Sequence, residues 1–131
     1  MDKRRILIVD DEPSFTRMVR LNLEKTGLYE VKEENSAIRA VATARAFRPH
    51  LILLDVVMPE LDGGDVAQQI RKQPRLKNVP IVFITAIVGK AEAGAGGQMR
   101  GGMLFLAKPV ALRTLVETIE RNLPEELQAN L

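Results

Sequence analysis

A chain of 131 residues, 46% of them hydrophobic, is long enough to bury one core, so a single domain is expected. Its 19 Lys and Arg against 17 Asp and Glu leave a net charge of +2, too small to imply direct nucleic-acid binding or attachment to a membrane. There is no cysteine, which excludes disulfides, zinc–thiolate sites and thiol nucleophiles and leaves oxygen ligands, or His50, for any metal. The basic start MDKRR is followed by an apolar run only from Ile6 to Val9, much too short for a secretory h-region or a membrane span. A cytoplasmic protein is expected.

In chain order, the first apolar run is ILIV at 6–9, a strand of continuous rather than alternating pattern, as found where both sheet faces are covered. From Pro13, Phe15, Val19, Asn22 and Leu23 recur near helical spacing up to Gly27, a good helix stop. Tyr29 to Val31 reads as a second strand, and Ser36 or Asn35 can cap a second helix running to Phe47, before Pro49. LILL at 51–54 is a third strand. Residues 64–73 form a third helix ended by Pro74, with Asp62-Gly63 as the turn that starts it. IVFI at 81–84 and MLFLA at 103–107 are the remaining strands, and Ala111 to Leu123 the last helix, stopped by Pro124.

A strand–helix unit repeated five times favours a five-stranded parallel sheet with helices on both faces, the doubly wound (βα)5 class. The domain is expected over residues 1–123, with 124–131 (PEELQANL) as a tail or the start of a linker. Residues 89–102, GKAEAGAGGQMRGG, stand where the fourth helix belongs yet carry six of the nine glycines. Each costs a helix interior roughly 0.5–1 kcal/mol relative to Ala, so that helix should be short, frayed or mobile. The segment matches neither the dinucleotide fingerprint nor the P-loop.

In open parallel sheets ligands bind beyond the carboxyl ends of the strands. Asp10 and Asp11 follow the first strand, Asp55 the third, Thr85 ends the fourth, and Lys108 with Pro109 follows the fifth. Three carboxylates meeting in one crevice repel, and a hard divalent cation with oxygen ligands, Mg²⁺ best, relieves them. Lys108 adds a cation and Thr85 a hydroxyl donor, so the set can offset the charge of a phosphoryl group, with Asp55 as carboxylate nucleophile.

Asp10-Asp11 after the first strand, LLDVVMPELDG around Asp55, FITA through Thr85 and LAKP ending at Pro109 together resemble the receiver domain of two-component response regulators, over residues 4 to about 123. The resemblance implies a flavodoxin-like, CheY-like fold with strand order 2-1-3-4-5. It implies that Asp55 is the phosphoacceptor for a phosphohistidine of a sensor histidine kinase or histidine phosphotransfer protein. Asp11, Asp55 and the Val57 carbonyl would bind Mg²⁺ directly, and Asp10 through water. Thr85 and Phe105, three residues before Lys108, would form a switch acting on an unknown downstream effector, with room for a homodimer formed on phosphorylation. The domain would catalyse only its own phosphorylation and dephosphorylation. Val57 and Ile87, both aliphatic, border the path of attacking water in this comparison, which implies slow self-dephosphorylation, with small Ala86 leaving room for the phosphoryl group.

Competing readings are less well supplied. A Mg²⁺-dependent phosphohydrolase working through an aspartyl phosphate needs a second acid beside the nucleophile and a substrate cap, but Asp55 is followed by Val56 and Val57 and no insertion is long enough. A flavodoxin-like cofactor binder needs aromatic platforms, and the chain has one Tyr and no Trp. Met58-Pro59 is read as shaping the loop after Asp55. His50, the only histidine, lies before the third strand at the far end of the sheet and is expected as a solvent-exposed loop residue.

Overall fold

The computed structural model describes residues 2–86, 98–100 and 103–129. Its strands are β1 (Arg4–Val9), β2 (Tyr29–Glu34), β3 (Leu51–Asp55), β4 (Ile81–Thr85), β5 (Gln98–Arg100) and β6 (Met103–Ala107), and its helices are α1 (Pro13–Lys25), α2 (Ala40–Phe47), α3 (Gly63–Arg71) and α4 (Leu112–Asn122). The sheet order is β2-β1-β3-β4-β6-β5. The five parallel strands β1, β2, β3, β4 and β6 therefore stand in the expected order 2-1-3-4-5, and β5 adds a three-residue antiparallel strand on the edge of β6.

The continuous apolar runs are explained by two cores on opposite faces. In β1, Ile6 and Ile8 join one cluster and Leu7 and Val9 the other; in β3, Leu51 and Leu53 alternate with Ile52 and Leu54 in the same way. Because side chains of a strand alternate between faces, a strand covered on both sides has no polar position to spare. Val19 and Leu23 of α1 with Leu115 and Ile119 of α4 close the first face; Ala40 and Ala44 of α2 with Val66 and Ile70 of α3 close the second. Truncating Leu53, which has no exposed surface, to Ala would cost about 2–5 kcal/mol.

Local chemistry sets the helix ends. Pro13 opens α1, and Gly27 takes φ +80 just beyond its end, a conformation that favours glycine. The Asp62 side chain accepts from Asp65 N–H (2.9 Å) and caps α3, as the turn reading expects, although the helix begins at Gly63 and ends at Arg71. The expectation for α2 needs correction: it begins at Ala40, and neither Asn35 nor Ser36 caps it. Asn35 Nδ2 donates instead to the Asp10 carbonyl (2.8 Å) and Thr16 Oγ1 (3.0 Å), and Ser36 Oγ to Glu60 (2.9 Å). Their side chains hold the β1–β2 end of the sheet, leaving residues 37–39 as a turn.

Of the glycine-rich stretch expected as a fourth helix, residues 98–100 form strand β5 instead, and the rest lies outside the described residues. These three residues carry no glycine themselves, and the edge of β6 offers them a row of backbone partners. After α4, a turn of 3-10 helix at Glu125–Leu127 folds back on the domain. Leu127 packs against the first core, its carbonyl accepts from Arg4 Nε, and Gln128 Nε2 donates to the Leu123 carbonyl (3.0 Å).

Candidate functional site

The carboxyl ends of β1, β3, β4 and β6 bring Asp10, Asp55, Thr85 and Lys108 to one end of the sheet. The register explains why: Asp55 lies beside Ile84, one residue before Thr85, and Thr85 beside Ala107, one residue before Lys108. Lys108 N–H donates to the Thr85 carbonyl (3.0 Å), and the Lys108–Pro109 peptide is cis. Asp10 and Asp55 are 1% and 5% exposed and Thr85 is fully buried, while Asp11 is more open to solvent. Glycine at position 63 is required by this packing, since a Cβ there would fall 2.3 Å from the Asp55 carbonyl oxygen.

Lys108 Nζ sits 2.7 Å from Asp10 Oδ2, 3.2 Å from Glu12 Oε1 and 3.9 Å from Asp55 Oδ1, and lies over the Phe15 ring at 4.4 Å from its centre. Asp10 Oδ1 accepts from Glu12 N–H (2.9 Å), while its buried Oδ2 has the ammonium ion nearby but no well-angled hydrogen bond. Burial, then the Asp10 charge, push the Asp55 carboxyl up from 3.8 to about 6, against the pull of Lys108 and of a hydrogen bond from Val57 N–H. Burial alone would lower the pKa of Lys108; the close ion pair with Asp10, with Asp55 and Glu12, raises it instead.

One cation for three close carboxylates leaves the cluster short of positive charge. Asp10, Asp11 and Asp55 each place an oxygen within 4.8 Å of the others, all hard donors. With the incompletely satisfied Oδ2 of Asp10, this fits a divalent cation with oxygen ligands, and Mg²⁺ is the expected one.

The predicted residues separate into groups. Asp10, Asp11, Asp55 and Lys108 converge, and Thr85 ends the neighbouring strand. Val57 is 55% exposed on the following loop. Phe105 lies deeper and half-buried, stacked on Phe83 with ring centres 5.2 Å apart, so it is part of the second core here. Ile87 lies outside the described residues. The exposed reading of His50 is corrected: the ring is half-buried, and its Nδ1 accepts from Arg5 N–H (2.9 Å) while His50 N–H donates to the Arg5 carbonyl (2.8 Å). Burial and the nearby Arg5 and Arg4 charges lower its pKa. Sequence reasoning missed Glu12 and Phe15 as partners of Lys108 and Gly63 as a steric requirement. The acidic run DDE and the helical phase of Phe15 were the available signals.

Comparison with known proteins bears on the family and the fold. The family model described as the response regulator receiver domain matches residues 6–120. Protein PilH of Pseudomonas aeruginosa is 36% identical over 115 residues, covering 88% of this chain and 93% of that one. Among solved structures, chemotaxis protein CheY4 of Vibrio cholerae superposes with a TM-score of 0.79 at 32% identity, covering 93% of this chain and all of the other. The receiver domain of sensor histidine kinase PA1611 from Pseudomonas aeruginosa, with a magnesium ion coordinated in its active site cleft, gives 0.76 at 31% identity, covering 92% and 98%. The chain spans about half the length of several other curated relatives, 47% and 53% in two of them.

Proposed function

We propose, for a chain that belongs to the response regulator receiver domain family, that Asp55 is a phosphoacceptor through which a phosphohistidine donor switches the affinity of this domain for a downstream partner. The observation that carries this is the buried, charge-deficient cluster of Asp10 and Asp55 bridged by Lys108 at the carboxyl ends of the strands. In the transfer, an Asp55 carboxylate oxygen attacks phosphorus, the P–O bond forms as the donor P–N bond breaks, and the electron pair leaves on the donor imidazole, which takes up a proton. Lys108, already 3.9 Å from Asp55, neutralises charge on the transferring group. The Thr85 hydroxyl, at the neighbouring strand end, donates to it. Asp11, Asp55 and the Val57 carbonyl would hold Mg²⁺ directly and Asp10 through water. The ion would supply charge neutralisation for the phosphoryl oxygens.

The switch is a shift between two packings. As Thr85 moves towards the phosphoryl group, Phe105 leaves its stack on Phe83, altering the face that β6 and α4 share with the residues before them. The domain is read as residues 1–123, with 124–131 as a tail or the start of a linker, of which Leu127 packs back on the first core.

Incubating the chain with Mg²⁺ and a small phosphodonor such as acetyl phosphate, then measuring intact mass, tests the reading. Gain of a single phosphoryl group, absent from Asp55→Asn, is the expected outcome. Rapid multiple turnover on phosphate esters would replace the switch by a phosphohydrolase.

A further inference from the structure

The amino ends of the strands carry a second concentration of charge, of opposite sign. A cavity of about 1130 Å³ opens there between α2 and the turn after α3, lined by Arg5, Arg45, Arg48 and Arg75, with His50 and apolar Pro49, Pro74 and Leu76 among its walls. No Asp or Glu is among its lining residues. The four guanidinium groups come from three separate stretches of chain: the start of β1, the end of α2 and the α3–β4 connection.

Structural need accounts for only part of this. The carboxyl end of a helix carries roughly half a negative charge, which basic residues relieve. Arg5 performs that role for α2, with its Nε donating to the carbonyls of Phe47 (3.1 Å) and Arg48 (2.9 Å). Arg45, Arg48 and Arg75 are exposed and have no ion pair or side-chain hydrogen bond among the described residues. Arg48 moreover occupies the left-handed region at φ 54, where glycine or asparagine would sit with less strain. A strained position filled by arginine, beside two further unpaired guanidinium groups, concentrates repulsion that an anion would relieve.

Guanidinium groups match phosphate oxygens through paired N–H donors, and several from different segments can grip a chain of phosphates rather than one. His50 adds a neutral donor, because Nδ1 accepts from Arg5 N–H and the ring proton therefore resides on Nε2. The volume far exceeds what one orthophosphate fills, and Pro49, Pro74 and Leu76 give it apolar walls. We propose that this cavity binds an anion carrying several linked phosphoryl groups, as found in inorganic polyphosphate and in nucleoside triphosphates. It is distinct from the Asp55 site: Arg5 and Asp10 stand at opposite ends of β1, roughly 16 Å apart for an extended strand.

The test is a titration of the full chain followed by amide NMR in Mg²⁺-free buffer, with inorganic tripolyphosphate, adenosine triphosphate and orthophosphate as probes at constant ionic strength. The expected result is saturable shifts at residues 42–50 and 73–76, with tripolyphosphate at least tenfold tighter than orthophosphate and at least tenfold weakened in Arg45→Gln/Arg75→Gln. Both side chains are exposed without partners, so the fold should survive; the dispersed spectrum of the variant checks this. Adenosine triphosphate equal to tripolyphosphate would mean that the phosphate chain alone is read, and tighter binding that the nucleoside rests on the apolar walls. Shifts that do not saturate, that centre on residues 10–12 and 55–57, or that persist undiminished in the double variant would overturn the proposal.

Discussion

The two ends of the sheet bury polar groups under opposite rules. At the carboxyl ends of the strands, Asp10 and Asp55 are buried close together with one ammonium between them, and the Asp55 carboxyl is pushed up to about 6. At the amino ends, Tyr29 Oη donates to Glu120 Oε2 (2.5 Å), Glu120 also accepts from Ala129 N–H, and Arg4 holds the Leu127 and Asp2 carbonyls. There the buried groups satisfy one another. A buried polar set left short of partners costs stability, whereas a completed one stabilises. The difference is the physical ground for proposing the first end as the reacting one, while the second supports the fold.

The sharpest way to break this comparison is Asp55→Asn. It should abolish phosphoryl acceptance, measured by intact mass after incubation with acetyl phosphate and Mg²⁺. It should also stabilise the Mg²⁺-free fold at pH 7.5, by about 1–3 kcal/mol from a shift of about two pK units, read by denaturant unfolding. An unchanged or lowered stability would mean that the carboxylates are not in conflict. The same conflict predicts that Mg²⁺ raises the melting temperature of the unmodified chain, by about 1.4 kcal/mol of stability at tenfold excess over its Kd. Asp11→Ala should remove that gain more fully than Asp10→Ala, since Asp10 is already engaged by Lys108 and Glu12 N–H while Asp11 is more open. Thermal unfolding with and without the ion checks the order.

At the other end, Tyr29→Phe deletes the hydroxyl that Glu120 accepts from, leaving a buried carboxylate oxygen short of a donor. A loss of about 1–3 kcal/mol follows, with phosphoryl acceptance unchanged. Equal damage to both would show that the ends are not separable.

The acid end was legible in the sequence because its residues terminate strands whose aliphatic runs are unmistakable, so position along the chain fixed position in the sheet. Asp10, Asp55, Thr85 and Lys108 needed nothing further. The satisfied end was less legible because its partners are far apart in sequence, as Tyr29 and Glu120 are. At the acid end one side chain with a local role was drawn elsewhere: Asn35 could have capped α2, but the Asp10 carbonyl and Thr16 hydroxyl took its donors. His50 read as an exposed loop residue because nothing local reveals a ring nitrogen accepting from a strand 45 residues earlier. Strand β5 was hidden for a related reason: three residues, Gln98–Arg100, are too few to carry a pattern of their own, and their partner β6 supplies the pairing.

The smallest expected effect is the most discriminating, because the two ends carry pKa shifts of opposite sign, Asp55 raised and His50 lowered. Asp55 has a folded pKa of about 6, above its ordinary 3.8, so its contribution to stability is full below the ordinary value and is lost as pH rises through 6. His50 has a folded pKa below the ordinary 6.5, lowered by burial, so its contribution is present above that value and is lost as the pH falls. In the Mg²⁺-free chain the two partly cancel between about pH 7 and 5. Each variant should uncover the other group: Asp55→Asn should lose stability on acidification through this range, and His50→Asn should gain it. Other carboxylates add a common slope nearer pH 4, so the decisive quantity is the difference between the two variants measured by urea unfolding at each pH. Stability curves that run parallel from pH 7 to 5 would show that the buried carboxyl and the half-buried imidazole do not oppose one another.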